Sequence, residues 1–310
     1  MKCLFAIDSI TAVYRDDGCK GEESRASIPP FAMDRPPKAP ARRIALGHRV
    51  NNELIFSQLN RVVVHCSHAD PNCSGQKLSM TANAGSDTLD DAFRRVRDLD
   101  LSLQEQLRTL GETLRRERPE FAAAVDRLVF RLRQYGAGEA APKIGDSMPS
   151  FVLPDESAQK VSLEELLDRG RVAVIFHRGH WCPYCRININ ALVEAHKALP
   201  AGAEIVAIMP DRQKFVLDPK RQSQVPFPIL IDADNGYAMS LNLTIWVGAE
   251  IQKMIEGRHP GAPTFQGSSS WMLPIPATFV VGQDGLIRAR FIDPDYRNRM
   301  MISDIFAAML

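Results

Sequence analysis

Apolar positions change their spacing twice along this chain. Leu89, Phe93, Val96, Leu99, Leu103, Leu107, Leu110 and Leu114 recur at steps of three and four, the single apolar face of one long helix. Ser86 or Asp87 is placed to cap its start. Pro119 suits the first turn of a second helix, which carries Phe121, Val125, Leu128, Val129 and Leu132 and ends near Gly136 and Gly138. Residues 86–138 therefore read as a helical hairpin. Its Arg-rich outer faces read as solvated surfaces with i,i+4 pairing to Asp and Glu. A helical pair cannot bury both apolar faces by itself, so it is expected to pack on the following domain or on a second subunit as a homodimer.

Residues 143–310 alternate between short apolar runs and helical patterns, the signature of an α/β layer fold. Strands are predicted at Phe151 to Leu153, Val172 to Phe176, Glu204 to Met209, Phe227 to Ile231, Ala277 to Val281 and Leu286 to Ile292. The last two are joined by a hairpin turn at Gln283-Asp284-Gly285. Helices are predicted at Leu163 to Leu167 behind a Ser162 cap, Cys182 to Leu199, Asp211 to Gln222, Asn235 to Leu243 and Ile302 to Ala308. Val247 to Gly257 reads as an amphipathic insertion, followed by a Gly/Ser/Pro-rich loop over about 259–270. The fold expected is a central mixed sheet with helices on both faces, preceded by the hairpin.

Residues 1–79 have no comparable periodicity, and five prolines between Pro29 and Pro40 exclude a helix there. This segment reads as disordered or poorly packed. An alternative is that the working protein begins near Met80, where the sequence resembles an ordinary protein start. Over all 310 residues the 45% hydrophobic and 24% charged composition is that of an ordinary globular protein. A net charge of +1, from 38 basic and 37 acidic residues, gives no support for a nucleic-acid or anionic-membrane partner. No stretch reaches the length of a membrane span, and the apolar start is too short for a secretory signal, so a cytoplasmic location is expected.

Six cysteines in 310 residues do not make a disulfide scaffold. Two of them, Cys182 and Cys185, form C-P-Y-C where the strand R-V-A-V-I-F passes through H-R-G-H-W into a helix. This puts Cys182 at the helix N-terminus, where unpaired N–H groups and the dipole favour a thiolate. Lowering a thiol from about 8.5 to about 7 raises its ionised share at neutral pH from roughly 3% to about half. His177, Arg178, His180 and Arg186 add positive potential nearby. Cys182 is thus the expected nucleophile and Cys185 the resolving thiol. His177, His180, Cys182 and Cys185 are also zinc-competent donors, as are His65, Cys66, His68 and Cys73. Trp181 beside the nucleophile is expected to be a recognition surface, with Trp246 and Trp271 as further candidates for the same groove. Asp293, Asp295, Tyr296 and Arg297 read mainly as surface pairs or caps of the final helix, with support of the site as the alternative.

The stretches K-I-G-D-S-M-P-S-F-V-L-P-D, F-H-R-G-H-W-C-P-Y-C-R, P-A-T-F-V-V-G-Q-D-G-L-I-R and F-I-D-P-D-Y-R-N-R resemble the alkyl hydroperoxide reductase/thiol-specific antioxidant family, the peroxiredoxins. The likeness runs from about residue 86 to 310 and implies a thioredoxin-like fold. It also implies a thiol peroxidase with Cys182 peroxidatic and Cys185 resolving, restored by a thioredoxin- or glutathione-type thiol, with no organic cofactor. Pro276, just before the strand that faces the C-x-x-C helix, matches the proline that thioredoxin-fold proteins usually hold cis. Three positions depart from the peroxiredoxin pattern. Gly179 stands where the family has threonine, Ile175 where it has proline, and Pro276 about where it has a peroxide-polarising arginine. Arg178, His180 and the Tyr184 hydroxyl are the nearest replacements, and C-P-Y-C itself resembles the glutaredoxin motif. The sequence therefore supports a peroxidase acting on hydrogen peroxide or organic hydroperoxides, with substrate contacts from Trp181 and Tyr184. A disulfide reductase and a zinc-holding thioredoxin-fold module are the alternatives.

Overall fold

The computed structural model describes residues 89–259 and 261–310. The chain divides into Met1–Lys77 and Leu78–Leu310, and every described residue belongs to the second unit. The readings of residues 1–79, of the His65, Cys66, His68 and Cys73 set and of the Ser86 or Asp87 cap lie outside the described residues.

The apolar stripe predicted as one long helix forms two, α1 (Leu89–Arg97) and α2 (Leu103–Glu117). The break has a local cause. Ser102 and Glu105 form a reciprocal capping box that satisfies two orphan N–H groups and starts a fresh helix. Leu99 falls in the break and is 44% exposed, outside the apolar stripe it seemed to continue. α3 (Pro119–Gln134) opens with its proline in the first turn.

Next come β1 (Val152–Pro154), β2 (Lys160–Ser162), α4 (Leu163–Arg169), capped by Ser162 as expected, and β3 (Arg171–Phe176). They are followed by α5 (Pro183–His196), β4 (Ala203–Met209), α6 (Gln213–Gln222) and β5 (Ile229–Ile231). A short 3-10 turn leads to α7 (Gly236–Ser240) and then β6 (Thr244–Trp246), α8 (Ala249–Glu256), α9 (Ala262–Gln266) and β7 (Met272–Pro274). The chain closes with β8 (Ala277–Val281), β9 (Ile287–Ile292) and α10 (Ile302–Met309). The segment 259–270, read as loop, thus contains one helical turn and a half. The three-residue strands β2, β6 and β7 are too short to leave a periodic signal.

The main sheet has the order β5-β4-β3-β8-β9. β3, β4 and β5 run parallel, while β8 is antiparallel to β3 and β9 to β8. Side chains alternate across it with period two. Val172, Val174, Phe176, Val206, Ile208 and Phe279 face a core shared with α4 and α7. Ala173, Ile175, Ile205, Ala207, Met209 and Val280 face the opposite core, closed by α5, α6 and α10. This mixed sheet with helices on both faces is a thioredoxin-like fold.

A third core lies beyond α5. It joins Phe93, Leu107, Leu110, Leu114, Val125 and Leu128 from the leading helices to Cys182, Cys185 and Ile187 of the α5 region and to Ile251 and Ile255 of α8. The apolar face that could have called for a second subunit is therefore covered within the chain. Ion pairs Arg127–Glu250 at 2.5 Å and Arg133–Asp293 at 3.1 Å, both exposed, latch α3 to the domain. They specify register more than they stabilise.

One close approach tests this packing. Gly170, which ends α4, lies so near the α5–β4 turn that a Cβ there would fall 1.3 Å from the carbonyl oxygen of Gly202. Backbone cannot yield as a side chain does, so Gly170→Ala should destabilise the protein by about 1–3 kcal/mol or more. Denaturant unfolding checks this, and an unchanged midpoint would contradict the close approach.

Candidate active site

β3 is buried along its length and delivers the chain to the carboxyl end of the parallel strands, where open α/β sheets place their sites. His177–Trp181 turn the backbone into α5, and Cys182 is the N-cap residue of that helix. Pro183 occupies the first helical position and has no N–H to leave unpaired. Cys182 is 1% exposed and Cys185 0%, and both thiols are free.

The two sulfurs differ in their surroundings. Burial pushes Cys182 up, but the Cys185 thiol, the Arg178 and Arg299 guanidiniums and the Cys185 N–H together bring it down to about 6. At pH 7 about nine in ten such thiols are ionised. Cys185 goes the other way. Burial and the adjacent Cys182 sulfur hold it well above a free thiol, against the pull of Arg299 and the Arg178 N–H. The pair therefore shares one proton, carried by Cys185 and donated to the Cys182 thiolate.

Two arginines frame the sulfurs. The Arg178 N–H donates to Cys185 Sγ at 3.4 Å. Its buried guanidinium lies 3.8 Å from the ring centroid of Tyr296 and 5.3 Å from that of Trp181. Arg299, 6% exposed, donates from Nη2 to Cys185 Sγ at 3.4 Å and is anchored by the carbonyls of Tyr296 and Asn298. Tyr184 meets Tyr296 edge-on at 5.5 Å. Burial pushes both phenols up, so each keeps its proton. Above Cys182 lies a narrow cleft of about 30 Å³, walled by Leu114, Phe121, Pro183 and Ile255, with Arg258 and His259 also lining it. That is room for about two water-sized molecules.

The other residues singled out in the sequence are placed as follows. His177 is fully buried with Nε2 3.1 Å from Asn188 Oδ1. Burial and the Arg299 cation lower it to about 3, so it is neutral and adds no positive potential. His180 turns away from the cleft. Its N–H donates to Asp211 at 2.6 Å, its Nδ1 is 3.2 Å from the same oxygen, and its ring is stacked on Phe215. It lines a separate cavity of about 390 Å³, with Trp181 as a wall common to that cavity and the Cys182 cleft. Arg186 points back to α1, 3.9 Å over the Phe93 ring. Trp271 is buried behind Trp181, whereas Trp246 is 52% exposed. The four zinc-competent donors His177, His180, Cys182 and Cys185 do not converge, and no group of three such residues does so among the described residues.

Pro276 is buried, and the β3–β8 register, Ile175 opposite Thr278, brings it level with His177 two residues beyond the last pair. Its peptide bond is trans, as are all others described, and it does not line the cleft. The Asp293 to Arg297 group also differs from its main reading. Tyr296 belongs to the site, while α10 starts at Met301 without a side-chain cap. Asp295 is bound by Arg297, which also reaches Asp126 of α3 at 2.7 Å. Sequence reasoning named neither Arg299 nor Asp211. The only signal for Arg299 was the concentrated F-I-D-P-D-Y-R-N-R stretch.

Gly179 has a steric reason. Its φ is +137°, and a Cβ there would lie 2.6 Å from Trp181 Nε1 and 2.9 Å from Asp211 Oδ2. Asp211 and Trp181 fill the space a threonine side chain would need.

A buried thiolate at a helix N-terminus, one turn from a protonated thiol, is an arrangement suited to thiol redox chemistry. Residues 144–290 match the AhpC/TSA family. A Mycobacterium tuberculosis (strain H37Rv) protein named as a peroxiredoxin is 32% identical over 150 residues, 46% of this chain and 80% of that protein. The chain belongs to the AhpC/TSA, or peroxiredoxin, family. It is also 28% identical over 100 residues to the thiol-disulfide oxidoreductase ResA of Bacillus subtilis, 32% of this chain and 55% of that one. The crystal structure of peroxidoxin BcpB from Mycobacterium tuberculosis aligns with 54% of this chain and 96% of its own, at 19% identity and a TM-score of 0.42. Among the described residues no helix is long and apolar enough to cross a membrane.

Proposed function

We propose that the protein is a thiol peroxidase that reduces hydrogen peroxide or small organic hydroperoxides through Cys182 and Cys185. The observation that carries this reading is the ionised Cys182 at the foot of a cleft of about 30 Å³. Such a space matches a small peroxide, and a protein partner, whether disulfide substrate or thiol reductant, reaches Cys182 only when α3 or α8 moves. The Cys182 thiolate attacks one peroxide oxygen, the O–O bond breaks and hydroxide leaves, becoming water with a proton from solvent. Cys185 then loses its proton and attacks the Cys182 sulfenic acid, forming the disulfide and a second water. A thioredoxin- or glutathione-type thiol returns the disulfide to the dithiol. Arg178, Tyr184 and Tyr296 line the cleft beside Cys182, and Arg178 is the cation among them that we assign to polarise the peroxide.

A second reading, disulfide exchange, is favoured by Pro276 in place of the family arginine and by the match to a thiol-disulfide oxidoreductase. Rapid mixing of the reduced full chain with hydrogen peroxide, followed by tryptophan fluorescence, separates the two. The peroxidase reading expects a second-order constant far above that of a free thiol. It also expects one Cys182–Cys185 disulfide per peroxide, located by peptide mass. A constant no better than a free thiol, with faster reaction towards a glutathione mixed disulfide, would replace it with the second reading.

A further inference from the structure

Arg299 is a buried cation whose partners include no carboxylate among the described residues. The acids on its own loop are taken by others: Asp295 by Arg297, and Asp293 by Arg133 and Asn298. Its guanidinium is held by two backbone carbonyls, and its one side-chain hydrogen bond among the described residues goes to Cys185 Sγ at 3.4 Å. A guanidinium needs an anion when it is taken out of water. Around the dithiol stand two buried guanidiniums, Arg178 and Arg299, and one anionic sulfur, Cys182. Tyr184 and Tyr296 are protonated and His177 is neutral. The buried residues of α2 in the shared core are Leu103, Leu107, Leu110 and Leu114. These two guanidiniums and one thiolate sum to +1 while Cys185 keeps its proton, and Arg299 also lines an open cavity of about 590 Å³ with Glu112 and Asp293.

We infer that Arg299 is the catalytic residue for Cys185: it stabilises the Cys185 thiolate when that sulfur attacks oxidised Cys182, and again when a reductant attacks Cys182 and expels Cys185. The first half rests on the peroxidase reading, and the second does not. The logic is one of charge transfer between neighbours. Burial and the Cys182 thiolate, which claims the cationic field, together keep Cys185 protonated. Once peroxide has converted Cys182 to a neutral sulfenic acid, that opposing charge is gone, and Arg299 remains to work against burial. Cys185 releases its proton to solvent, the S–S bond forms as the S–O bond of the sulfenic acid breaks, and the departing hydroxide takes up a proton. In reduction an external thiolate bonds to Cys182 Sγ, the S–S bond breaks, and its electron pair stays on Cys185 beside Arg299. The family places its arginine at the start of the late strand. Here the charge at the second sulfur arrives from the loop before α10.

The test compares Arg299→Gln and Arg299→Lys full chains with the wild type. The first fluorescence phase with hydrogen peroxide is read across pH in each protein, so that any loss of Cys182 ionisation on changing Arg299 shows as a shifted midpoint and is kept apart from the second phase. The disulfide-forming phase should slow at least tenfold in Arg299→Gln, with dimedone-trappable Cys182 sulfenic acid accumulating, and recover in Arg299→Lys. Equal slowing of both phases, or an unchanged second phase, would overturn the inference. Reduction of the preformed Cys182–Cys185 disulfide by dithiothreitol should slow in parallel. If no chain reacts with peroxide, the peroxidase reading fails while this arm still decides the role of Arg299. A third measurement needs no change at Arg299. In Cys182→Ser, the alkylation rate of Cys185 against pH, read by peptide mass, should give a midpoint below the one Cys185 shows in the wild type. A midpoint no lower than in the wild type would refute the assignment even if Arg299→Gln does not fold.

Discussion

Cys182→Ser is expected to reduce peroxide turnover to background, whereas Cys185→Ser should consume one equivalent of peroxide and then stop. The asymmetry follows from where the proton sits. Cys182 is brought to about 6 by Cys185, Arg178 and Arg299, while Cys185 is held well above a free thiol. Only the thiolate attacks the O–O bond, so a serine at 182 leaves no nucleophile, because its hydroxyl is not ionised near neutral pH. A serine at 185 keeps the attacking sulfur but removes the group that resolves the sulfenic acid. It also removes the thiol that donates to Cys182, so the single turnover should be slower than the first turnover of the wild type. Quenched-flow measurement of peroxide remaining, with the sulfenic acid located by mass, reads both results. Full turnover in Cys182→Ser, or an inert Cys185→Ser with a reactive Cys182→Ser, would reverse the assignment of the two sulfurs.

The site was legible where chemistry is local and obscure where it is not. C-P-Y-C at a strand-to-helix junction located the nucleophile because helix N-terminus, proline and thiol spacing all lie within five residues. Arg178 was found for the same reason. Arg299 approaches the sulfurs from 114 residues along the chain, and no periodicity records such a meeting. His180 illustrates the opposite error. Its position two residues before Cys182 suggested a donor to the sulfur, but Asp211, at the end of β4, draws the ring to the far side of Trp181. The elements followed the same rule. β3, β4 and β8 were readable because both faces are buried and the apolar run is continuous. The break between α1 and α2 was not, since a capping box competes with a stripe that alone would have continued.

The rate of the first phase should rise with pH through a midpoint near 6 and level off above about pH 7, since it follows the Cys182 thiolate. Below the midpoint the rate falls tenfold per pH unit as the sulfur takes up its proton. His177, lowered to about 3 by burial and Arg299, adds no second step above pH 4. Arg178→Met makes this curve diagnostic. Removing the guanidinium leaves burial to push Cys182 back up. If the midpoint returns to about 8.5, the ionised share at pH 7 falls from about nine tenths to about 3%, roughly a thirtyfold loss of rate. At pH 9.5 the two proteins are then almost equally ionised and their rates should converge. A gap that persists at pH 9.5 would mean that Arg178 acts on the peroxide itself, polarising the oxygen that departs. A midpoint unmoved in Arg178→Met would mean that Arg299 and the helix N-terminus suffice to hold the thiolate. Because methionine fills most of the space between Tyr296 and Trp181, the comparison reads charge rather than a collapsed cleft, and near-ultraviolet circular dichroism of the two proteins tests that packing directly.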